Sequence, residues 1–74
     1  MTLKDVKPGQ TCKVLKVHKG EESIHYRIFD MGITPGVEIK MIKTAPLGDP
    51  IEVVLRGYNL SLRKNEAELV EVKI

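Results

Sequence analysis

Residues 29–39 read FDMGITPGVEI, and three structural signals follow one another in that stretch. A helical pattern ends at Met31-Gly32, a turn follows at Thr34-Pro35-Gly36, and an alternating run begins at Val37. Upstream, in EESIHYRIFDMG, Ile24, Ile28 and Met31 recur at i, i+4 and i+7, which predicts a helix over about 21–31 with one apolar face. Glu21 and Glu22 stand in its first turn, where the helix dipole favours acids. Gly20 is a permissible N-cap, and Gly32 suits the left-handed position that ends a helix. Thr34-Pro35-Gly36-Val37 fits a type II turn, with proline fixing φ at the second position and glycine accepting positive φ at the third.

Beyond the turn the pattern changes from period 3.6 to period 2. Val37, Ile39 and Met41 alternate with Glu38 and Lys40, and Ile51, Val53 and Leu55 with Glu52 and Arg56. Tyr58, Leu60 and Leu62 form a third inward set against Asn59 and Ser61; Val70, Val72 and Ile74 form a fourth against Glu71 and Lys73. Such segments predict antiparallel β structure. TCKVLKV, from residue 11, is a fifth strand whose apolar phase switches between Val14 and Leu15, which calls for a bulge or for burial on both faces. RKNEAE has room for a helical turn at about 64–67. VKPGQTCKV (6–14) and ITPGVEIKM (33–41) share one order, an apolar residue, a polar one, Pro-Gly, then a strand.

About five short strands and one helix in a single 1–74 domain point to a mainly β, SH3-like barrel with the helix over one open end, closed so that no edge strand is left. A chain of 74 residues holds one domain. Its 42% hydrophobic content suffices for one core, built from Val, Ile, Leu and Met because aromatics are limited to Tyr26, Phe29 and Tyr58. Twelve basic and ten acidic residues give a net charge of +2, which is no nucleic-acid signature. The single Cys12 cannot form an internal disulfide, and no run approaches the ~20 apolar residues of a membrane span. These features predict a cytoplasmic protein.

No catalytic constellation is legible. Ser23 and Ser61 lack a nucleophile elbow, and Cys12 reads as a buried thiol. Glu22 and His25 have the i, i+3 spacing of carboxylate–histidine metal sites, with His18 just upstream, but such sites draw ligands from several helices. No metal or other cofactor is therefore assigned; His18, Glu22 and His25 are places for adventitious metal only. Lys13, Lys16, Lys40, Lys43, Arg56 and Arg63 on outer positions raise the alternative of a nucleic-acid-binding barrel. Glu38, Glu52 and Glu71 share those faces, and no stacking platform accompanies them. The loop TAPLGDP is longer than its hairpin requires. Leu47 either projects from its tip as a docking residue or folds back to cap the barrel, and Ile42 and Val54 are apolar on faces that should be exposed.

FDMGITPGVEI, APLGDPIEV and RGYNLSLRKNEAELVEV, in that order, resemble the FeoA family, the small cytoplasmic component of bacterial ferrous-iron uptake. The resemblance covers nearly the whole chain, and its most recognisable positions are Met31, Gly32, Pro35 and Gly36, then Ala45 to Pro50, then Arg56, Gly57 and Tyr58. The same fold closes metalloregulators of the diphtheria-toxin-repressor kind. The resemblance implies a non-enzymatic accessory protein partnered with FeoB, a membrane iron permease carrying a cytoplasmic GTP-hydrolysing domain. It also brings an association with transition metals, for which the sequence offers no ligand motif. On this reading Ile42, Leu47, Asp49, Val54, Arg56 and Tyr58 are candidate partner contacts, and Gly32, Pro35, Gly36, Gly48, Pro50 and Gly57 shape turns. Self-association through exposed apolar residues is a further expectation; nucleic-acid binding and membrane insertion are not expected.

Overall fold

The computed structural model describes Met1–Ile74. After a 3-10 turn at Leu3–Asp5 come β1 (Thr11–Val17), α1 (Glu22–Asp30), β2 (Glu38–Thr44), β3 (Ile51–Leu55), β4 (Tyr58–Leu62), α2 (Lys64–Ala67) and β5 (Val70–Lys73). The strands form one antiparallel five-stranded sheet in the order β4-β3-β2-β1-β5. The alternation read from the sequence is the alternation of burial: Ile39, Met41, Ile51, Val53, Leu55, Val70 and Val72 enter one core with Cys12, Val14 and Ile28. The phase switch in β1 is a register shift between Val14 and Lys16, and β2 carries a second shift between Met41 and Lys43.

The two Pro-Gly stretches interlock. Both turns close as expected, Gln10 N–H donating to Lys7 O at 3.0 Å and Val37 N–H to Thr34 O at 3.1 Å. Gly9 and Gly36 take φ of +89° and +93°, a region that glycine alone enters without strain. Each glycine then donates to the other stretch's strand: Gly9 N–H to Met41 O and Gly36 N–H to Val14 O, both at 2.8 Å. The return bonds run from Met41 N–H to Gln10 O and from Val14 N–H to Val37 O, both at 2.9 Å. The sequence echo is thus a local two-fold pairing that locks β1 to β2, and FDMGITPGVEI supplies half of it.

Four expectations need correction. The mainly β, SH3-like fold is as expected, but its full closure is not: β4 and β5 are not paired, and α2 turns the chain between them and delivers β5 to β1. The outer side of β5 is met by the start of the chain, through the Thr2↔Glu71 bridge and Val72 N–H to Met1 O, whereas the outer side of β4 has no strand partner. Tyr58 lies in the inward phase but is 43% exposed at the sheet's end, and Ile74 is exposed beyond the end of β5. Val54, expected to be exposed, is half-buried. The helix takes Glu21 rather than Gly20 as its N-cap. Gly20 has another reason to be glycine, since a Cβ there would lie 2.7 Å from Leu69 Cδ1.

α1 lays Ile28 in the core with Ile24 and Met31 packed beside it, and Gly32 ends it at φ +88°. A second clasp ties α1 to α2. Glu66, the one buried charged residue, accepts Arg63 N–H through Oε1 at 2.8 Å and faces Arg27 Nε through Oε2 at 3.1 Å. A carboxylate so enclosed needs both donors, because an unpaired buried charge is strongly unfavourable.

Candidate functional site

The candidate contact residues divide between the two ends of β3. At one end the β2–β3 loop is a rigid projection. Pro46 sets the φ of an Ala45–Gly48 turn closed by Gly48 N–H to Ala45 O at 2.7 Å, and Gly48 follows at φ +83°. Ala45 N–H to Pro50 O at 3.0 Å ties the loop's base, and Asp49 Oδ1 accepts Lys64 N–H at 2.9 Å, fastening the loop to the start of α2. Leu47 takes the third position of the turn and is 94% exposed, which decides between its two expected places: it projects and does not cap the core. A depression of about 240 Å³ lies at the loop's base, lined in part by Ala45, Pro46, Pro50 and Ile51. Ile42 is exposed nearby, displaced by the bulge in β2.

At the other end the β3–β4 turn is Arg56-Gly57, with φ of +50° and +83° between the paired Leu55 and Tyr58. Arg56 is the chain's one non-glycine residue at positive φ, and its Nη2 donates to Thr34 Oγ1 at 3.5 Å. Tyr58 Oη donates to Met31 O, a helix-end carbonyl that lacks an intrahelical partner. A Cβ at Gly32 would sit 3.0 Å from that hydroxyl. Met31, Gly32 and Thr34 therefore meet Arg56 and Tyr58 in one joint, which holds the end of α1 against the sheet. At ~3.3 Å per residue, β3 keeps this joint roughly 15 Å from the Leu47 loop. The six residues do not form a single patch, and the hydrogen bonds of Asp49 and Tyr58 serve the fold.

The adventitious metal candidates separate as well. His18 Nε2 lies 2.9 Å from Glu71 Oε1, and His25 Nδ1 lies 3.3 Å from His18 O; since a carbonyl only accepts, that nitrogen carries the proton. The hydrogen bond from His18 holds the Glu71 carboxyl below its ordinary value. Glu22 takes no part in this chain of contacts, and no group of three His, Cys, Asp or Glu side chains gathers anywhere. Cys12 is buried among apolar neighbours, and burial pushes its thiol up. Three outer lysines stand against acids across the ladder, Lys13↔Glu38, Lys16↔Glu71 and Lys43↔Glu52, while Lys13 also faces Lys73 on β5 and Lys40 lies between Thr11 and Val54, so acids interrupt the basic positions on the sheet's exterior.

Comparison with known proteins gives consistent findings. The FeoA domain model matches residues 1–74. The FeoA-like protein of Clostridium acetobutylicum is 42% identical with a TM-score of 0.91, covering 100% of this chain and 85% of that one. The FeoA of Stenotrophomonas maltophilia, solved with zinc and described as a prokaryotic SH3 domain protein, is 30% identical with a TM-score of 0.79, over 99% of this chain and 89% of that one. A Porphyromonas gingivalis protein described as a fusion of Fe(2+) transport protein A with the Fe(2+) transporter FeoB is 32% identical over 74 residues; the chain spans 9% of its length. At 18% identity and a TM-score of 0.88, IdeR of T. acidophilum shares the fold, over 100% of this chain and 33% of that one. With the family model matched from end to end, the chain belongs to the FeoA domain family.

Proposed function

We propose that this chain is a non-enzymatic cytoplasmic accessory module of ferrous-iron uptake, which acts by docking on the transporter FeoB and its GTP-hydrolysing domain. The observation that carries the reading is Leu47, 94% exposed on a loop whose backbone is tied at its turn, its base and α2. A large apolar side chain held in water by a preorganised loop gains on meeting a partner and loses little conformational freedom there. Burying a leucine contributes about 1.5–3 kcal/mol, a factor of roughly 10–150 in affinity. Ile42 extends the apolar contact, Asp49 fixes the loop, and Arg56 with its joint offers a second, charged contact beyond Val54. The fused Porphyromonas relative supports FeoB as the partner, since it carries both parts in one polypeptide. No helix is long and apolar enough to cross a membrane, which fits a module that meets the transporter from its aqueous side.

Leu47→Asp tests the reading. The substitution removes no contact that the fold uses, so stability should stay within about 0.5 kcal/mol of wild type. Co-purification with FeoB should weaken at least about tenfold. Retention of the transporter at full strength by a folded Leu47→Asp protein would refute the docking role. A second reading, a metal-binding accessory protein, is favoured by the zinc complex of the Stenotrophomonas relative. In this chain Nε2 of His18, one of the ligand candidates, is already bonded to Glu71.

A further inference from the structure

All three aromatic side chains of this chain lie at its surface, with Tyr26 60%, Phe29 37% and Tyr58 43% exposed. Tyr58 is accounted for by the joint with Met31. The other two share α1 with Glu22 and His25 at i, i+3, i+4 and i+7, on the pole opposite the Ile24, Ile28 and Met31 stripe that faces the core. A helix that only covered a core would carry polar residues there. Instead, the His25 ring stands edge-on to Phe29 at 4.9 Å and 71°, and to Tyr26 at 6.3 Å and 70°. The His18 carbonyl fixes that ring. A depression of about 360 Å³ opens beside them, lined by Lys19, Gly20, Glu22, His25 and Tyr26.

The charges around this face have one dominant sign. Glu21 and Glu22 stand at one end and Asp30 at the other, all exposed, while Arg27, the helix's own cation, is turned to Glu66. Lys19 at the rim is the single opposing charge in the depression. We infer that this face of α1 is a second docking surface, and that its occupant is an arginine- or lysine-bearing segment of a protein partner. The cation stacks on Tyr26 and Phe29 and is held by Glu22 or Asp30. This deepens the docking reading above and rests on it for the partner's being a protein. Charge excludes the rival occupants: nucleic acid and anionic lipid meet carboxylates here. Two copies of α1 paired antiparallel about Tyr26 would set Glu22 against Asp30 of the second copy.

The probe is acetyl-Gly-Arg-Leu-Arg-Gly-amide, titrated into the full chain and followed by NMR, with the glutamate-for-arginine peptide as control. The ring signals of Tyr26 and Phe29 should shift to saturation with the arginine peptide and not with the control. Tyr26→Ala should weaken binding about two- to fivefold, Tyr26→Phe should restore it, and Glu22→Lys/Asp30→Lys should abolish it. Circular dichroism of each variant checks that the fold is kept. Shifts confined to other faces, equal binding of the control peptide, or indifference to both variants would overturn the inference. So would self-association that Tyr26→Ala removes, because a second copy would then be the occupant. FeoB capture separates the two readings. If wild type captures FeoB and the α1 variants capture it equally, this surface fails and the Leu47 reading stands. If wild type captures none, the Leu47 reading fails and the peptide titration alone decides α1.

Discussion

Removing the Glu66 carboxylate should unfold this chain more readily than any change on its outer sheet face. Glu66 is 2% exposed and satisfies two groups at once, Arg63 N–H at 2.8 Å and Arg27 Nε at 3.1 Å. In Glu66→Ala the Arg63 amide at the start of α2 loses its acceptor, which costs about 1–2 kcal/mol. The Arg27 contribution must be discounted, because that side chain is 62% exposed and water replaces much of the attraction; about 0.5–1 kcal/mol remains. The sum is about 2–3 kcal/mol, which for a chain of this size lowers Tm by roughly 10–20 °C. Glu66→Gln keeps an oxygen for the Arg63 amide and should lose only about 1 kcal/mol. Thermal and urea denaturation followed by circular dichroism give both numbers. Glu66→Ala within about 0.5 kcal/mol of wild type would refute the account. Glu66→Gln as damaging as Glu66→Ala would show that the ion pair, and not the backbone bond, carries the effect.

The two turn glycines make a matched test. Gly36→Ala meets open space and should cost only the strain of φ near +93°, about 1–2 kcal/mol, whereas Gly32→Ala also pushes on Tyr58 Oη and should cost about 1 kcal/mol more. Equal melting temperatures for the two variants would remove the Tyr58 joint from the argument. The Glu71 carboxyl, lowered from its ordinary 4.5 chiefly by the His18 hydrogen bond, binds its proton less readily folded than unfolded. Its stabilisation is therefore complete above pH 4.5 and is lost as pH falls through the lower folded value. His18→Ala should return the Glu71 midpoint towards 4.5 in an NMR titration; an unmoved midpoint would sink the pairing.

Much of the fold was legible because the decisive signals are local. Proline and glycine fix turn geometry wherever they occur, and period-2 alternation names the buried face of a strand without reference to its neighbours. The features that escaped depend on where distant parts meet. Tyr58 has the right phase to be inward, yet it sits at the last rung, where the helix end offers a carbonyl and the core has run out. Asp49 looked like a loop acid, but α2 brings Lys64 N–H to it from fifteen residues away. Closure of the barrel could not be judged from strand count, since α2 decides where the last strand goes. Two signals were present and missed. Arg63-x-x-Glu66 has the spacing by which an acid reaches back to the residue that starts a helix. Glu22, His25, Tyr26 and Phe29 trace a stripe as regular as the buried one, with aromatic rings on the side that faces water.

The bare outer side of β4 has a bearing on solubility. Tyr58–Leu62 contains neither charge nor proline and pairs with β3 without a bulge, so it has none of the usual internal defences against recruiting another strand. Protection comes from its ends, where Arg56 and Arg63 bracket the segment like gatekeepers and would be driven together with their like in any antiparallel pairing of two such rims. Neutralising Arg63, whose side chain the fold does not use, would leave the melting curve nearly unchanged and express itself as precipitation.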